Sequence, residues 1–295
     1  MDPNTPYGIP PSGYRLPPET RLGRILLQVG DLSQSLAFYC ELLGFKVLDE
    51  DGAQASLGAS EDAETLIVLQ ERAGAVAVPR GRRLGLFHFA ILLPDRASLG
   101  RFLAHVTQRG IRPGASDHRV SEALYLHDPD GLGIEVYADR PPASWEQQDG
   151  QLVMATDPLD QDDLLRAGRT GNWQGMPPGT VMAHMHLHVG DLGRAADFYH
   201  EGLGLDKVVW SYPGALFMSA GGYHHHLGVN TWAPGATSPG EDEARLLEWE
   251  LVLPGEDDVE AALAHLGRAG HLAEQMKEGG VVKDPWGTQL RIRQG

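Results

Sequence analysis

Apolar and polar residues alternate at several places along the chain, and each time the period then lengthens to that of a helix. The clearest case runs from His184 to Val189, where three histidines share one face of a predicted strand. Asp191 follows as a favourable helix N-cap, and Gly204 lies where the helix would end. The apolar positions between them have helical spacing: Leu192, Ala195, Ala196 and Tyr199. A histidine-lined strand joined to an amphipathic helix is a rigid support for a metal ligand.

The same pattern occurs twice, 160 residues apart. The sequence Val-Gly-Asp-Leu at 29–32 returns at 189–192, and Phe-Tyr at 38–39 returns at 198–199. A second unit follows each copy, with a strand that ends at proline, a helical stripe and a final hairpin. The pattern therefore predicts an α+β fold of four modules, each approximately β-α-β-β-β, near 21–72, 83–140, 181–233 and 245–294.

These modules suggest a division of the chain into two domains and two accessory segments. We expect an N-terminal arm at 1–20 and an N-terminal domain of modules 1 and 2 at 21–140. A proline-bounded linker at 141–180, with one short helix near 160–167, separates them from modules 3 and 4 at 181–295.

Aligning the modules on their helix caps identifies one equivalent position in each first strand. The position lies seven residues before the cap aspartate, or six before the proline that ends the strand. In the four modules it holds Arg24, His88, His184 and Glu248. The last strands of modules 2 and 4 supply a further equivalent pair, Glu135 and Arg291.

The aligned positions divide into two chemically different sets. Modules 2 and 3 hold His88, Glu135 and His184, the two imidazoles and one carboxylate that are typical of non-haem Fe(II) oxygenases. Modules 1 and 4 hold Arg24, Glu248 and Arg291, which suit ion pairs and not a metal ion. The sequence thus predicts one active pair of modules and one silent pair.

Composition and charge limit the partners. The formal net charge of −16 opposes binding to nucleic acid or to an anionic membrane surface. No apolar run approaches the roughly 20 residues of a membrane span, and the segment 1–18 lacks the features of a signal peptide. We therefore expect a cytoplasmic protein with a small-molecule substrate, and the sequence leaves open whether it forms a homo-oligomer.

The repeat resembles a known family in the motif His-x-x-x-x-Val-x-Asp-Leu followed by Phe-Tyr. The chain is similar over 21–294 to the vicinal oxygen chelate superfamily, the glyoxalase, bleomycin resistance and extradiol dioxygenase fold. Within it, the stretches 85–96, 121–126, 131–140 and 219–226 look most like bacterial catechol 2,3-dioxygenases.

The resemblance implies modules that pair into two eight-stranded open barrels, or cups, and an Fe(II)-dependent enzyme of aromatic catabolism. Such an enzyme opens a catechol-type diol and incorporates both atoms of O₂. The family's ligand positions carry over to His88, Glu135 and His184. In many two-domain relatives of this type all three ligands lie in the C-terminal half. Here that half offers only one of them, and we therefore predict that modules 2 and 3 close one cup and modules 1 and 4 the other.

The resemblance also implies residues that assist the metal. The family's acid–base histidine lies in a His-His pair on a middle strand, which matches His224-His225 and favours His225. The family's tyrosine before the last turn matches Tyr125, and His118 would be a further donor near it. No organic cofactor is expected.

Several alternatives remain open at the level of sequence. His88 alone could be an ordinary core histidine, and His186 shares the face of His184 one pleat along. The metal could be Mn(II) or another divalent ion, and the reaction hydroquinone cleavage or a glyoxalase-like isomerisation or lyase step. The protein could also bind an aromatic ligand without turnover.

Overall fold

The computed structural model describes residues 7–79 and 81–295, and the first six residues of the expected arm lie outside this range. Module 1 contains β1 (Arg21–Val29), α1 (Leu32–Leu36, continued by a π-helical turn Ala37–Leu43), β2 (Lys46–Asp51), β3 (Gln54–Gly58) and β4 (Ile67–Glu71). Module 2 contains β5 (Gly85–Leu92), α2 (Arg96–Gln108), β6 (Gly114–Asp117), β7 (Ser121–His127) and β8 (Gly133–Asp139).

The linker contains the short helix predicted near 160–167 and three two-residue strands that the sequence did not predict. The linker holds β9 (Gln147–Gln148), β10 (Gln151–Leu152), β11 (Asp157–Pro158) and α3 (Gln161–Ala167), with 3-10 turns at Pro142–Ser144 and Gly168–Thr170. Module 3 contains β12 (Val181–His188), α4 (Leu192–Ala196, continued by a π-helical turn Asp197–Gly202), β13 (Asp206–Val209), β14 (Ala215–Ser219) and β15 (Leu227–Asn230). Module 4 contains β16 (Arg245–Leu253), α5 (Glu256–Arg268), β17 (Glu274–Gln275), β18 (Gly280–Lys283) and β19 (Gln289–Gln294).

The strands form two curled sheets, and each sheet draws on both halves of the chain. Modules 2 and 3 build a nine-stranded sheet in the order β11-β6-β7-β8-β5-β12-β15-β14-β13, called here the histidine cup. Modules 4 and 1 build an eight-stranded sheet in the order β17-β18-β19-β16-β1-β4-β3-β2, called the arginine cup. The predicted pairing of modules is confirmed, and the extra strand β11 comes from the linker.

Successive side chains along each strand point alternately into the apolar core and into the interior of a cup. On β5, Phe89 and Ile91 are fully buried and belong to the same apolar cluster as Phe102 and Val106 of α2. The residues that alternate with them, His88 and Ala90, face the other side of the sheet because successive side chains point in opposite directions. The aspartates that the sequence identified as caps accept hydrogen bonds from the first turns of their helices, as Asp191 does from the Arg194 amide at 2.7 Å.

The repeated Phe-Tyr motif has a structural reason. The Tyr39 hydroxyl donates to Asp128 at 3.0 Å, and the Tyr199 hydroxyl donates to Asp284 at 2.9 Å. Each aspartate opens the last turn of the following module and also accepts backbone hydrogen bonds there. Burial raises the pKa of Asp128 to about 7. The first helix of each half is thereby fixed to the final hairpin of the next module.

The linker and the arm pack closely on the modules. Gly100 of α2 lies so near the linker helix that a Cβ atom would come within 2.3 Å of the Leu164 carbonyl oxygen. Along the arm, Arg15 forms a two-pronged ion pair with Asp206 of module 3. None of the described helices is long and apolar enough to cross a membrane.

Candidate metal centre

One row of residues crosses four neighbouring strands of the histidine cup. His184 of β12 is opposite Ala90 of β5, Ala90 is opposite Glu135 of β8, and Glu135 is opposite Tyr125 of β7. His88 lies on the same face, two residues before Ala90. Because Ala90 has only a methyl group, space remains between the side chains of His184 and Glu135.

His88, Glu135 and His184 converge in that space. One donor atom from each residue lies within 4.8 Å of the other two, and all three residues are buried. The Nε2 atoms of His88 and His184 lie 3.0 and 3.3 Å from the same carboxylate oxygen of Glu135. Metal–ligand bonds of about 2.1 Å at right angles would separate neighbouring donor atoms by about 3 Å. The three side chains therefore fit one divalent cation.

His88 supplies a second indication that the donors face a common point. Its Nε2 atom is buried and has no hydrogen-bond partner of acceptable geometry, although the Glu135 oxygen is near. A buried polar atom without a partner costs free energy, on the order of 1–3 kcal/mol. Coordination of a cation between the donors would remove that cost.

Burial and the contacts between the side chains together set the electrostatics of the triad. Burial alone would raise the pKa of Glu135, but the adjacent imidazoles, His184 first and His88 second, outweigh it and hold that pKa well below its usual range. Burial lowers the pKa of His184 to about 4, against the opposite influence of Glu135. Both directions favour an ionised Glu135 beside a neutral His184, which are the protonation states that metal ligands require.

The neighbouring histidines of β12 have other partners. The side chain of Asn230 binds both rings. Its Nδ2 atom donates to His186 Nε2 at 2.9 Å, and its Oδ1 atom accepts from His188 Nδ1 at 2.6 Å. Gly228 makes room for the His186 ring, since a Cβ atom there would lie 3.1 Å from it. His186 therefore lines the cavity beside the triad without joining it.

The resemblance implied roles for Tyr125 and His118, and their side chains form a hydrogen bond with each other. His118 Nδ1 lies 2.6 Å from the Ala155 carbonyl oxygen, and His118 Nε2 lies 2.6 Å from the Tyr125 hydroxyl. A carbonyl oxygen only accepts, so Nδ1 carries the hydrogen. In neutral His118 the Nε2 atom then accepts a hydrogen bond from Tyr125.

The middle strand that the resemblance implied at His224-His225 is wrong. His224, His225 and His226 lie in the irregular segment before β15, and all three are buried. The segment follows the tight turn at Gly221-Gly222, where both glycines have positive φ. Without strand alternation, His224 Nδ1 meets His225 Nδ1 at 2.7 Å, and His225 reaches the cavity.

A cavity of about 240 Å³ opens beside the triad. Its wall combines residues from both modules with three consecutive linker residues: Phe87, His88, Ser116, His118, Tyr125, Glu135, Met154, Ala155, Thr156, His186, Tyr212, Phe217, His225 and Trp232. The Thr156 and Tyr212 hydroxyls, 2.8 Å apart, connect the linker to module 3. The sequence could not place the linker relative to the cavity, because no motif in that segment indicates which of its residues line the wall.

The equivalent positions of the arginine cup carry ion pairs, as predicted. Arg291 donates to both carboxylate oxygens of Glu248 at 2.8 and 3.0 Å. Arg24 donates to the buried Glu250 at 2.8 Å, and Arg293 donates to the same carboxylate at 3.0 Å.

Comparison with known proteins places this arrangement in a family. Residues 21–136 and 181–292 match the Glyoxalase/Bleomycin resistance protein/Dioxygenase superfamily. The chain is 43% identical to catechol-2,3-dioxygenase of Bacillus subtilis (strain 168) over 271 residues, 90% of this chain and 94% of that protein.

Two solved structures share the fold at low identity. Glyoxalase I from Zea mays matches with a TM-score of 0.56 at 17% identity, over 94% of this chain and 92% of that one. The cppA protein from Streptococcus pneumoniae TIGR4 matches with a TM-score of 0.52 at 14% identity, over 93% and 99%. The four-module repeat, the two curled sheets and these matches agree, and the chain belongs to the Glyoxalase/Bleomycin resistance protein/Dioxygenase superfamily.

Proposed function

We propose that the protein is an Fe(II)-dependent extradiol dioxygenase that opens a catechol-type ring with O₂. The observation that carries the proposal is the convergence of His88, Glu135 and His184 beside an aromatic-lined cavity, with His225 and Tyr125 in its wall. The similarity to a relative named catechol-2,3-dioxygenase supports this choice within the family.

The triad would hold the metal through two imidazoles and one carboxylate. Fe(II) held there would supply open coordination positions beside the cavity and would lower the pKa of the diol. We choose Fe(II) over Mn(II) because this donor set with open positions is typical of non-haem Fe(II) oxygenases.

Tyr125 and His118 form a proton acceptor at the cavity wall. Because Tyr125 donates to His118 Nε2, its oxygen keeps its lone pairs for a substrate hydroxyl. A proton taken from the diol at that oxygen can pass on to His118. We assign these two residues to deprotonation of the bound diol.

His225 lies on the module 3 side of the cavity, with its ring centroid 4.1 Å from that of His184. Its Nδ1 atom is engaged by His224, which leaves Nε2 for the substrate. We assign it as the acid–base group that takes up and returns a proton during ring opening.

The cavity wall favours a small neutral ring over a larger anionic substrate. A volume of about 240 Å³ lies below the range of about 300–1,000 Å³ that is typical of drug-sized ligands. Among the described residues that line the cavity there is no Lys or Arg to pair with carboxylates such as those of glutathione. Phe87, Phe217 and Trp232 line the cavity and offer aromatic contacts to a substrate ring.

The test is anaerobic reconstitution with Fe(II), followed by addition of catechol in air-saturated buffer. We expect one metal ion per chain, stoichiometric O₂ uptake and a yellow ring-cleavage product. The His184→Ala variant should lose all three, because it lacks one of the three donors.

Other outcomes would identify the alternatives. Failure to bind any divalent metal refutes the proposal. Metal binding with no O₂ uptake, but with turnover of the hemithioacetal of methylglyoxal and glutathione, would favour a glyoxalase-like enzyme. Catechol binding that is unchanged in His184→Ala and yields no product would favour a binding protein.

A further inference from the structure

Asp139 connects the two sides of the candidate metal centre, although it does not reach the cavity. It ends β8, and 25% of its side chain is exposed. One carboxylate oxygen lies 2.9 Å from His224 Nε2, and the other accepts a hydrogen bond from the Tyr223 hydroxyl at 3.0 Å. Two branches of hydrogen bonds start from these oxygens and run inward.

The first branch leads to His225. The carboxylate accepts from His224 Nε2, so in neutral His224 the Nδ1 atom has no hydrogen. His225 Nδ1, 2.7 Å away, must then donate to it. This assigns the hydrogen of His225 to Nδ1 and leaves Nε2 unprotonated, as a base toward the cavity requires.

The second branch leads to His184. Tyr223 uses its only hydrogen on Asp139, so the Tyr137 hydroxyl, 2.7 Å away, donates to Tyr223. The Tyr137 oxygen can then accept from His184 Nδ1 at 3.3 Å. This supports the Nδ1–H tautomer of His184, which a metal ion would require because it would take the place of the hydrogen between Nε2 and Glu135.

We propose that Asp139 is a positioning residue that sets the tautomers of both His225 and His184. Its carboxylate suits this role because both oxygens only accept, so that both branches run in the required direction. The assignment of roles to His225 and His184 rests on the proposed function, whereas the direction of the hydrogen bonds does not.

An amide at this position cannot serve both branches. In Asp139→Asn one end of the side chain accepts and the other donates. If the amide nitrogen faces His224, the first branch reverses and His225 acquires its hydrogen on Nε2. If it faces Tyr223, the second branch reverses and the Tyr137 hydroxyl competes for His184 Nδ1.

The experiment combines two measurements that do not require catechol turnover. Nitrogen NMR of the metal-free, full-length protein labelled with ¹⁵N-histidine reports which ring nitrogen of His225 carries hydrogen. Anaerobic titration with Fe(II) reports metal affinity. In the wild type we expect the Nδ1–H form of His225. In Asp139→Asn we expect either the Nε2–H form or a loss of Fe(II) affinity of about 10–100-fold.

Two further variants separate positioning from general loss of structure. Asp117→Asn is a matched control, because its side chain is 27% exposed and its carboxylate pairs with Arg140 outside both branches. It should leave both readouts unchanged. Tyr223→Phe interrupts only the second branch, so it should weaken Fe(II) binding and leave the His225 tautomer as in the wild type.

Two results would overturn the inference: an Nε2–H form of His225 in the wild type, or an Asp139→Asn protein that matches Asp117→Asn in both measurements. If the protein failed to cleave catechol while the tautomer or the Fe(II) affinity still responded to Asp139→Asn, the proposed function would fail and the role of Asp139 would stand.

Discussion

The histidine cup and the arginine cup have the same module plan and opposite chemistry. At the centre of one, β5 and β12 pair in antiparallel register, and β1 and β16 do so in the other. Equivalent strand positions carry His88 and His184 in the first cup, and Glu248 and Arg24 in the second. The backbone thus provides two frames, and the side chains decide which can bind a metal.

The two cups differ in whether their buried polar atoms already have hydrogen-bond partners. Arg291 occupies both oxygens of Glu248, so that carboxylate has little capacity left for a cation. In the histidine cup, by contrast, the His88 Nε2 atom is buried without a hydrogen-bond partner. An unfilled set of converging donors is the physical signature that separates a binding site from a structural ion pair.

The largest expected effect comes from changing one buried carboxylate in each cup. Glu135→Gln removes the only anionic donor of the triad, and we expect Fe(II) affinity to fall by at least about 100-fold. Glu248→Gln is the matched change in the arginine cup and should leave Fe(II) affinity unaltered. Anaerobic Fe(II) titration measures both, and equal losses would contradict the division between the cups.

Acid should destabilise the protein through the histidine cup. His226 is buried, its Nδ1 atom accepts from the Ala220 amide at 3.2 Å, and burial lowers its pKa to about 3. An unfolded histidine titrates near 6.5, so between pH 6.5 and 3 the unfolded chain binds more protons and stability falls as the pH falls.

Urea unfolding of the metal-free protein measures this effect. From pH 7.5 to 5, His226 should contribute a loss of about 2 kcal/mol in the free energy of unfolding. The His226→Gln variant should show a correspondingly shallower dependence on pH. Equal slopes in the two proteins would mean that His226 is not the source of the acid sensitivity.

The smallest expected effects concern the ion pairs of the arginine cup. Arg291→Met leaves Glu248 without its partner, and we expect a loss of about 1 kcal/mol in unfolding free energy because the arginine is partly exposed. Arg24→Met should cost about half as much, because Glu250 keeps its contact with Arg293. Urea unfolding at pH 7.5 ranks the two, and a fall in Fe(II) affinity for either would link the cups.

Much of the fold could be predicted because its signals are local or repeated. The caps at Asp31, Asp95 and Asp191 mark helix starts through hydrogen bonds within one turn. The repeat then aligned the modules, and the alignment selected the three residues whose donor atoms converge in the structure. Local hydrogen bonding and periodicity suffice for this, since neither depends on distant contacts.

The predictions that were wrong, and the features that were not predicted, have a different origin. His224-His225 were expected on a strand, yet the turn at Gly221-Gly222 is followed by an irregular buried segment that contains them. The linker residues Met154, Ala155 and Thr156 entered the cavity wall without any sequence signal. Both features depend on contacts between segments far apart in the chain, which local patterns do not encode.

The four modules, their caps and the split between metal-competent and ion-paired positions could be predicted from the sequence alone, because they follow from residue type and spacing. Tertiary structure decided what those positions can do. Only the register of β12, β5 and β8 brings His184, Ala90 and Glu135 into one row with space for a cation. Only packing between segments joins Asp139 to His225 and His184, since hydrogen bonds act over about 3 Å whatever the separation along the chain.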